Sequence, residues 1–364
     1  MICLLAALIL TLPWAQALDR DALLDAQSGE IGIQALEAAG EEYTGPQDLR
    51  AGPDVNAALR FIADRGGETL RDAVCQAGRS CVLLLTVSLL WSMAQGFQTA
   101  AGKDPMETVT LAACLSVTAV AVGDVHSLLA LGRQAMDRME SLSDVLLPAV
   151  SMATAASGSP GGAVVRHGAT ILFSDLLIRL IRRVLIPLCY AFVASIAAWA
   201  CLGSDGLKRL GGLIKWLITI LLSAVLLGFL LYLNLTGVIA GGADAATVKA
   251  AKFTISNLVP VVGGVISDTA ETLLAGASVL RNAVGVFGML AVGGICVGPF
   301  LNLGVHYLLY RCTAALAATA AGEGRVTGLI DGLSTAFALI LAMTGACAVL
   351  LLVAMVSAVS AVTP

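Results

Sequence analysis

Read from the N-terminus, the chain alternates between apolar blocks of near-membrane length and short polar interruptions, without the period-two alternation between turn signals that a β-barrel requires. The blocks run Cys81 to Phe97, Val109 to Val122, Val184 to Leu202, Leu213 to Leu235, Val284 to Leu303, Val305 to Ala321 and Leu329 to Val359. A spanning helix needs roughly 20 apolar residues. The last block exceeds that, which predicts a helix that is tilted, broken near Gly345 or partly outside the hydrocarbon. Val145 to Ala156 is shorter and holds Pro148, so it reads as a span, a re-entrant piece or a buried interfacial helix. The pattern predicts an all-α, polytopic helical membrane protein with six to eight membrane elements.

Ahead of these blocks the pattern is different. Ile2 to Leu12 is an apolar core followed by Pro13 and by Ala15-Gln16-Ala17, small residues at cleavage-site spacing. This predicts a signal peptide over 1–17 cut after Ala17, although no Lys or Arg precedes the core and an uncleaved first helix is the alternative. An exported leader makes residues 18–80 a small helical extracytoplasmic region. Its apolar residues recur at helical spacing in Ala22-Leu23-Leu24 and in Val55, Leu59 and Ile62, on either side of a turn-rich linker from Tyr43 to Pro53. Asp54 is placed to cap the second helix, which runs to about Gly78 and leads into the membrane domain, 81–364.

Composition sharpens the class. With 58% hydrophobic and 13% charged residues and a mean hydropathy of +0.90, the chain is far from a soluble domain. Its net charge of −4 is uneven, because Leu18 to Ser80 holds twelve acids against six arginines and no lysine. No basic block points to a nucleic acid partner. The nine cysteines are scattered, mostly in apolar runs, with neither CxxC nor Cys/His zinc spacing. No phosphate loop, nucleophile elbow or HExxH is present, and His126, His167 and His306 are isolated. No catalytic, cofactor-binding or metal-ligating residue is assigned, and an enzyme is not expected.

One stretch breaks the apolar pattern. Lys249, Lys252 and Asn257 lead to Pro260 and to Gly263-Gly264, after which Asp268, Glu271, Arg281 and Asn282 return on a new helical phase. Charges and helix breakers between membrane runs predict a broken or re-entrant element, tolerated where protein or a wet cavity satisfies the freed backbone groups. The lysines read either as snorkelling at a headgroup surface or as a cationic entry to a polar path. Asp268 and Glu271 read either as an intramembrane acid pair or as an N-cap with its partner acid three residues on. These ten residues are the candidate interface or conduit.

Two further groups stand out. Gly294 and Gly298, inside a span and followed by Pro299, form the best close-packing pair. The pairs Gly324/Gly328 and Gly328/Gly332 are assigned to loop geometry beside the polar hinge. Arg179, Arg182 and Arg183 lie on one face of an amphipathic helix from Arg166 to Arg183, with Asp175 four residues before Arg179. This face predicts an interfacial helix touching lipid headgroups or a partner, or an ordinary basic flank at a membrane end.

Lys252 to Gly288, KFTISNLVPVVGGVISDTAETLLAGASVLRNAVGVFG, resembles the signature region of the stage III sporulation protein AE family. The order of leader, small polar front region and glycine-rich polytopic body agrees with it. The resemblance implies a noncatalytic membrane subunit of a secretion-like channel between mother cell and forespore, needed for forespore development. It also implies residence in the mother-cell membrane around the forespore, and as partners the other subunits of that complex, including a separate ATPase. A homo-oligomer is compatible with this reading. The rival class is a self-contained secondary transporter with its substrate site at the broken helix.

Overall fold

The computed structural model describes residues 33–49, 52–100, 107–156, 172–258, 263–322 and 324–360, and their side chains except at 33, 98–100, 155–156, 234–277, 321 and 357–360. Seven helices account for nearly all of these residues: α1 (Ile33–Thr44), α2 (Val55–Ala100), α3 (Glu107–Ala156), α4 (Leu172–Leu202), α5 (Asp205–Leu258), α6 (Gly263–Ala321) and α7 (Arg325–Ser360). No strand occurs among the described residues. Six of the helices, α2 to α7, are long and apolar enough to cross a membrane, with apolar windows of mean hydropathy 1.6 to 2.7. The fold is the all-α polytopic class that the apolar blocks predict.

The helices are longer and less interrupted than the blocks suggest. At 1.5 Å per residue the 50 residues of α3 extend about 75 Å, against a hydrocarbon core of about 30 Å. The polar segment from Asp124 to Asp144 and the short run from Val145 are therefore one helix with Val109 to Val122. Leu146, Leu147, Val150 and Ala153 are buried, so the end of α3 is core-facing despite Pro148. Likewise Val284 to Leu303 and Val305 to Ala321 are one helix through Pro299, and α7 is unbroken at Gly345, which takes the Phe300 ring against its Cα. The basic segment before Val184 is not a separate helix: it continues into α4 through one π turn, Ile181–Leu185. Asp268 lies five residues inside α6, which begins at Gly263, so it does not take the capping position.

Local chemistry explains the ends that matter. Asp54 caps α2, its Oδ1 accepting the backbone N–H groups of Asn56 and Ala57 at 3.0 Å each. Gly203 ends α4 in the left-handed region at φ 69°, and its N–H donates to Trp199 O at 2.8 Å. A non-glycine residue would be strained there, so the turn from α4 into α5 is tight by construction.

Packing is organised around α6 and α7. The apolar window of α7 is 61% buried against 22% for α5, so α7 is central and α5 peripheral. Gly324, one residue before α7, and Gly328 and Gly332 within it sit four residues apart and receive Trp91, Trp199 and Ile196; Cβ atoms built on them would meet those side chains at 2.8, 2.7 and 2.5 Å. This corrects the loop-geometry reading for Gly328 and Gly332, while Gly324 lies in the hinge itself. They form a packing groove that lets α2 and α4 approach α7 closely. On α6, Gly288 does the same for Leu146 and Met355. The resulting pairings run α6 antiparallel to α3 and α7, and α4 antiparallel to α5.

Candidate functional site

Of the stretch that breaks the sequence pattern, Lys249, Lys252 and Asn257 lie on the helical end of α5, and Gly263 and Gly264 open α6. The side chains of these residues, of Asp268 and of Glu271, and all of Pro260, lie outside the described residues. Arg281 and Asn282 are described, and they part company: Arg281 is buried at 3% exposure, whereas Asn282 is exposed. Ala15 and Ala17 also lie outside the described residues.

The described polar site is elsewhere, along one face of α6. Asn302, His306 and Tyr310 follow each other at four-residue spacing, so they stack on one stripe of the helix. Asn302 Nδ2 donates to Gly298 O at 3.3 Å. The His306 Nδ1 lies 2.8 Å from Asn302 O, and because a carbonyl can only accept, this nitrogen carries the proton. Nε2 is fully buried, with no hydrogen-bond partner among the described residues. The Tyr310 hydroxyl donates to Asp124 Oδ2 of α3 at 2.6 Å, with Tyr310 at 0% and Asp124 at 8% exposure. Phe337 of α7 meets both rings edge-on, at 5.9 Å from His306 and 4.9 Å from Tyr310.

A carboxylate inside a membrane helix costs about 2.5 to 3.5 kcal/mol on insertion scales, and a charge-assisted hydrogen bond returns about 1.5 to 3. The Tyr310 hydroxyl is thus what makes Asp124 tolerable in the bundle. The stripe spans eight residues of α6, about 12 Å. At its Asn302 end it opens on a cavity of about 250 Å³ lined by Tyr43, Arg65, Thr69, Gln134, Arg138 and Asn302.

The end of α1 closes over this cavity. Arg65 donates to Glu42 O, and Arg138 lies 3.8 Å from the Glu42 carboxylate. The Tyr43 phenol is pushed up by burial, with the Glu42 carboxylate adding to it. Gly294 lies directly beneath: a Cβ there would be 2.5 Å from Tyr43 O, whereas one on Gly298 would meet nothing within 4 Å and faces the cavity. The close approach expected of this glycine pair is made at Gly294 alone, and against α1.

The arginines of the α4 segment turn partly inward. Arg182, in the π turn, contacts Asp137 and reaches Glu140 of α3 at 2.8 Å, while Arg179 pairs with Asp175 at 2.7 Å and Arg183 is exposed. The π turn shifts the helix register where Arg182 must face α3. Beside it a cavity of about 270 Å³ is lined by Glu140, Ser143, Asp144, Ser174 and Asp175.

Among the described residues no three His, Cys, Asp or Glu side chains converge as a metal site, and the eight described cysteines are all free thiols. In residue order His306 is an isolated imidazole, and Asn302, Tyr310 and Asp124 belong to none of the sequence's candidate groups. The available signal was three polar side chains four apart within an otherwise apolar run.

Six membrane-length helices around a buried carboxylate–phenol pair and an imidazole define the class as a polytopic α-helical membrane protein with a polar interior. The family model of stage III sporulation protein AE (spore_III_AE) matches residues 54–362. The chain belongs to that family, and membership accords with a part in sporulation. The Stage III sporulation protein AE of Bacillus subtilis (strain 168) is 25% identical over 214 residues, 58% of this chain and 53% of that protein. The chain thus spans about half the length of the curated relative it matches. No solved structure matches the chain.

Proposed function

We propose that this protein is a noncatalytic membrane subunit of the stage III sporulation channel, a secretion-like complex between mother cell and forespore needed for forespore development. The observation that carries this reading is the family match over 54–362, which takes in every helix from α2 to α7. On this reading the subunit resides in the mother-cell membrane around the forespore and works with the other subunits of the complex, a separate ATPase among them. Lys249 to Asn282 is its broken element, at a subunit interface or conduit.

The rival transporter reading draws support from one observation, the polar cavity that Asn302 lines at the end of the Asn302–His306–Tyr310 stripe. The two part in a single experiment. The purified protein is reconstituted alone in liposomes and, in parallel, recovered from sporulating cells by mild detergent extraction. Recovery with other stage III proteins and no solute flux in liposomes is the expected result; flux by the protein alone overturns the subunit reading.

A further inference from the structure

A third recess lies at the opposite end of the bundle from the α1 cap. It is a groove of about 620 Å³ over the first two turns of α7, walled by α6 on one side and by the α4–α5 corner on the other. Three cations from three helices line it, Lys208 of α5, Arg311 of α6 and Arg325 of α7, against one lining carboxylate, Asp331. Asp331 is committed to Arg311 at 2.6 Å. Arg325 has a long 3.5 Å contact to Glu107, which lies outside the lining and is 86% exposed. Lys208 meets no carboxylate among the described residues; its ammonium sits 4.9 Å over the Trp199 ring. The rim therefore holds two positive charges with little local compensation.

The floor is of a different kind. Ala314, Ala315, Ala318, Gly324 and Gly328 leave it shallow-walled and apolar, and Trp199 closes one side by lying against Gly328. The groove runs from Arg325 to Asp331, six residues or about 9 Å along α7. Its outer end is level with the corner between Leu202 of α4 and Asp205 of α5, where Arg325 lies against Gly203, at the ends of two membrane-length helices. On α6 the same face continues one turn past Arg311 to Leu308, which is 59% exposed. Cations at the rim, tryptophan at the wall and an exposed apolar track leading inward are complementary to an anion that carries hydrocarbon.

We propose that this groove is a binding site for an anionic phospholipid, its phosphodiester held by Lys208 and Arg325 and its acyl chains lying along the Leu308 face of α6. Arg311 stays with Asp331 and contributes the inner wall. A soluble phosphate would satisfy the cations but leave the apolar floor and the Leu308 track uncovered. An acidic protein segment would have to place its own backbone polar groups against the same apolar floor.

The test uses the full-length protein in detergent micelles, with lipid retention read by native mass spectrometry and thermal stability read in parallel. The probes are phosphatidylglycerol, phosphatidylcholine and the soluble headgroup mimic glycerol 3-phosphate. Phosphatidylglycerol is expected to be retained and to raise the melting temperature, with phosphatidylcholine and glycerol 3-phosphate much weaker. Each cation near an anionic headgroup is worth about fivefold in affinity, so Lys208→Gln should weaken phosphatidylglycerol binding about fivefold and Lys208→Gln with Arg325→Gln about 25-fold. Arg209→Gln, at the same end but outside the lining, should leave it unchanged. Lys208 makes no ion pair among the described residues and its ammonium lies over the Trp199 ring, so the charge reversal Lys208→Glu breaks no salt bridge and serves as the variant that keeps the fold. Equal retention of the two lipids, full retention by Lys208→Glu, or a shift by glycerol 3-phosphate as large as that by phosphatidylglycerol would each overturn the proposal. The last outcome would make the site one for a free anion, and competition of lipid by a co-purifying acidic protein would make it a protein interface.

Discussion

Replacing Gly332 with alanine tests the packing groove of α7 most directly. A Cβ there would lie 2.5 Å from Ile196 Cγ2 and 3.0 Å from its Cδ1. Carbon atoms rest at about 3.5 to 4.0 Å, so the overlap at Cγ2 is about 1 Å. A β-branched side chain in a helix holds one dominant χ1 rotamer, which means Cγ2 cannot swing away and α4 must retreat from α7. Overpacking of this kind costs about 1 to 3 kcal/mol. Alanine also gains up to about 1 kcal/mol over glycine in helix propensity, and Gly304→Ala, where a Cβ would meet nothing within 4 Å, measures that gain alone. Reversible denaturant unfolding in micelles should therefore place Gly332→Ala about 1 to 3 kcal/mol below Gly304→Ala. In an Ile196→Ala background the clash disappears, and the two glycine substitutions should become equivalent, a coupling of the same size. Equal effects of the two in the wild-type background would refute the groove, as would a Gly332→Ala cost that survives removal of Ile196.

Three other outcomes follow from the geometry. Tyr310→Phe strips the buried Asp124 carboxylate of its donor and should destabilise by about 1.5 to 3 kcal/mol, most of which a second change, Asp124→Asn, recovers; a double-mutant unfolding cycle with no coupling would contradict the pair. Asp54→Ala removes the α2 cap and should cost about 0.5 to 2 kcal/mol, visible as earlier unfolding and faster amide exchange over the first turn of α2. Maleimide should modify the exposed Cys75, ahead of the first apolar block, in the native protein and reach the buried Cys114, Cys189 and Cys347 only after denaturation, so native labelling of Cys189 at the rate of Cys75 would mean the bundle is looser than described.

Helix class, the approximate places of the spans and the Asp54 cap were all legible in residue order. Each depends on neighbours within a few positions along the chain, namely apolar runs and a carboxylate three residues from the amide it accepts. The roles of the glycines were not. Gly324, Gly328 and Gly332 stand beside a polar hinge and look like loop residues, and only the arrival of Trp91, Trp199 and Ile196 from α2 and α4 turns them into a packing surface. The Gly294/Gly298 pair divides for the same reason: what faces each position comes from another element, α1 in one case and an open cavity in the other. The long helices were underestimated because Asp124 to Asp144 reads as an interruption when its partners, Tyr310, Arg182 and the α1 end, are 42 to 186 positions away.

Hydrophobic patterning is a local property, and by itself it determined that this is a polytopic helical membrane protein; the signature from Lys252 to Gly288 carried the family resemblance. Tertiary structure decided which polar residues share a site. Asn302, His306 and Tyr310 become a column because α3 brings Asp124 to Tyr310 and α7 lays Phe337 across the two rings. Lys208, Arg311 and Arg325 become a cationic groove because three helices end or pass at one level. Burial and pairing of charge are set by distances between elements, and those distances have no counterpart in the order of residues along the chain.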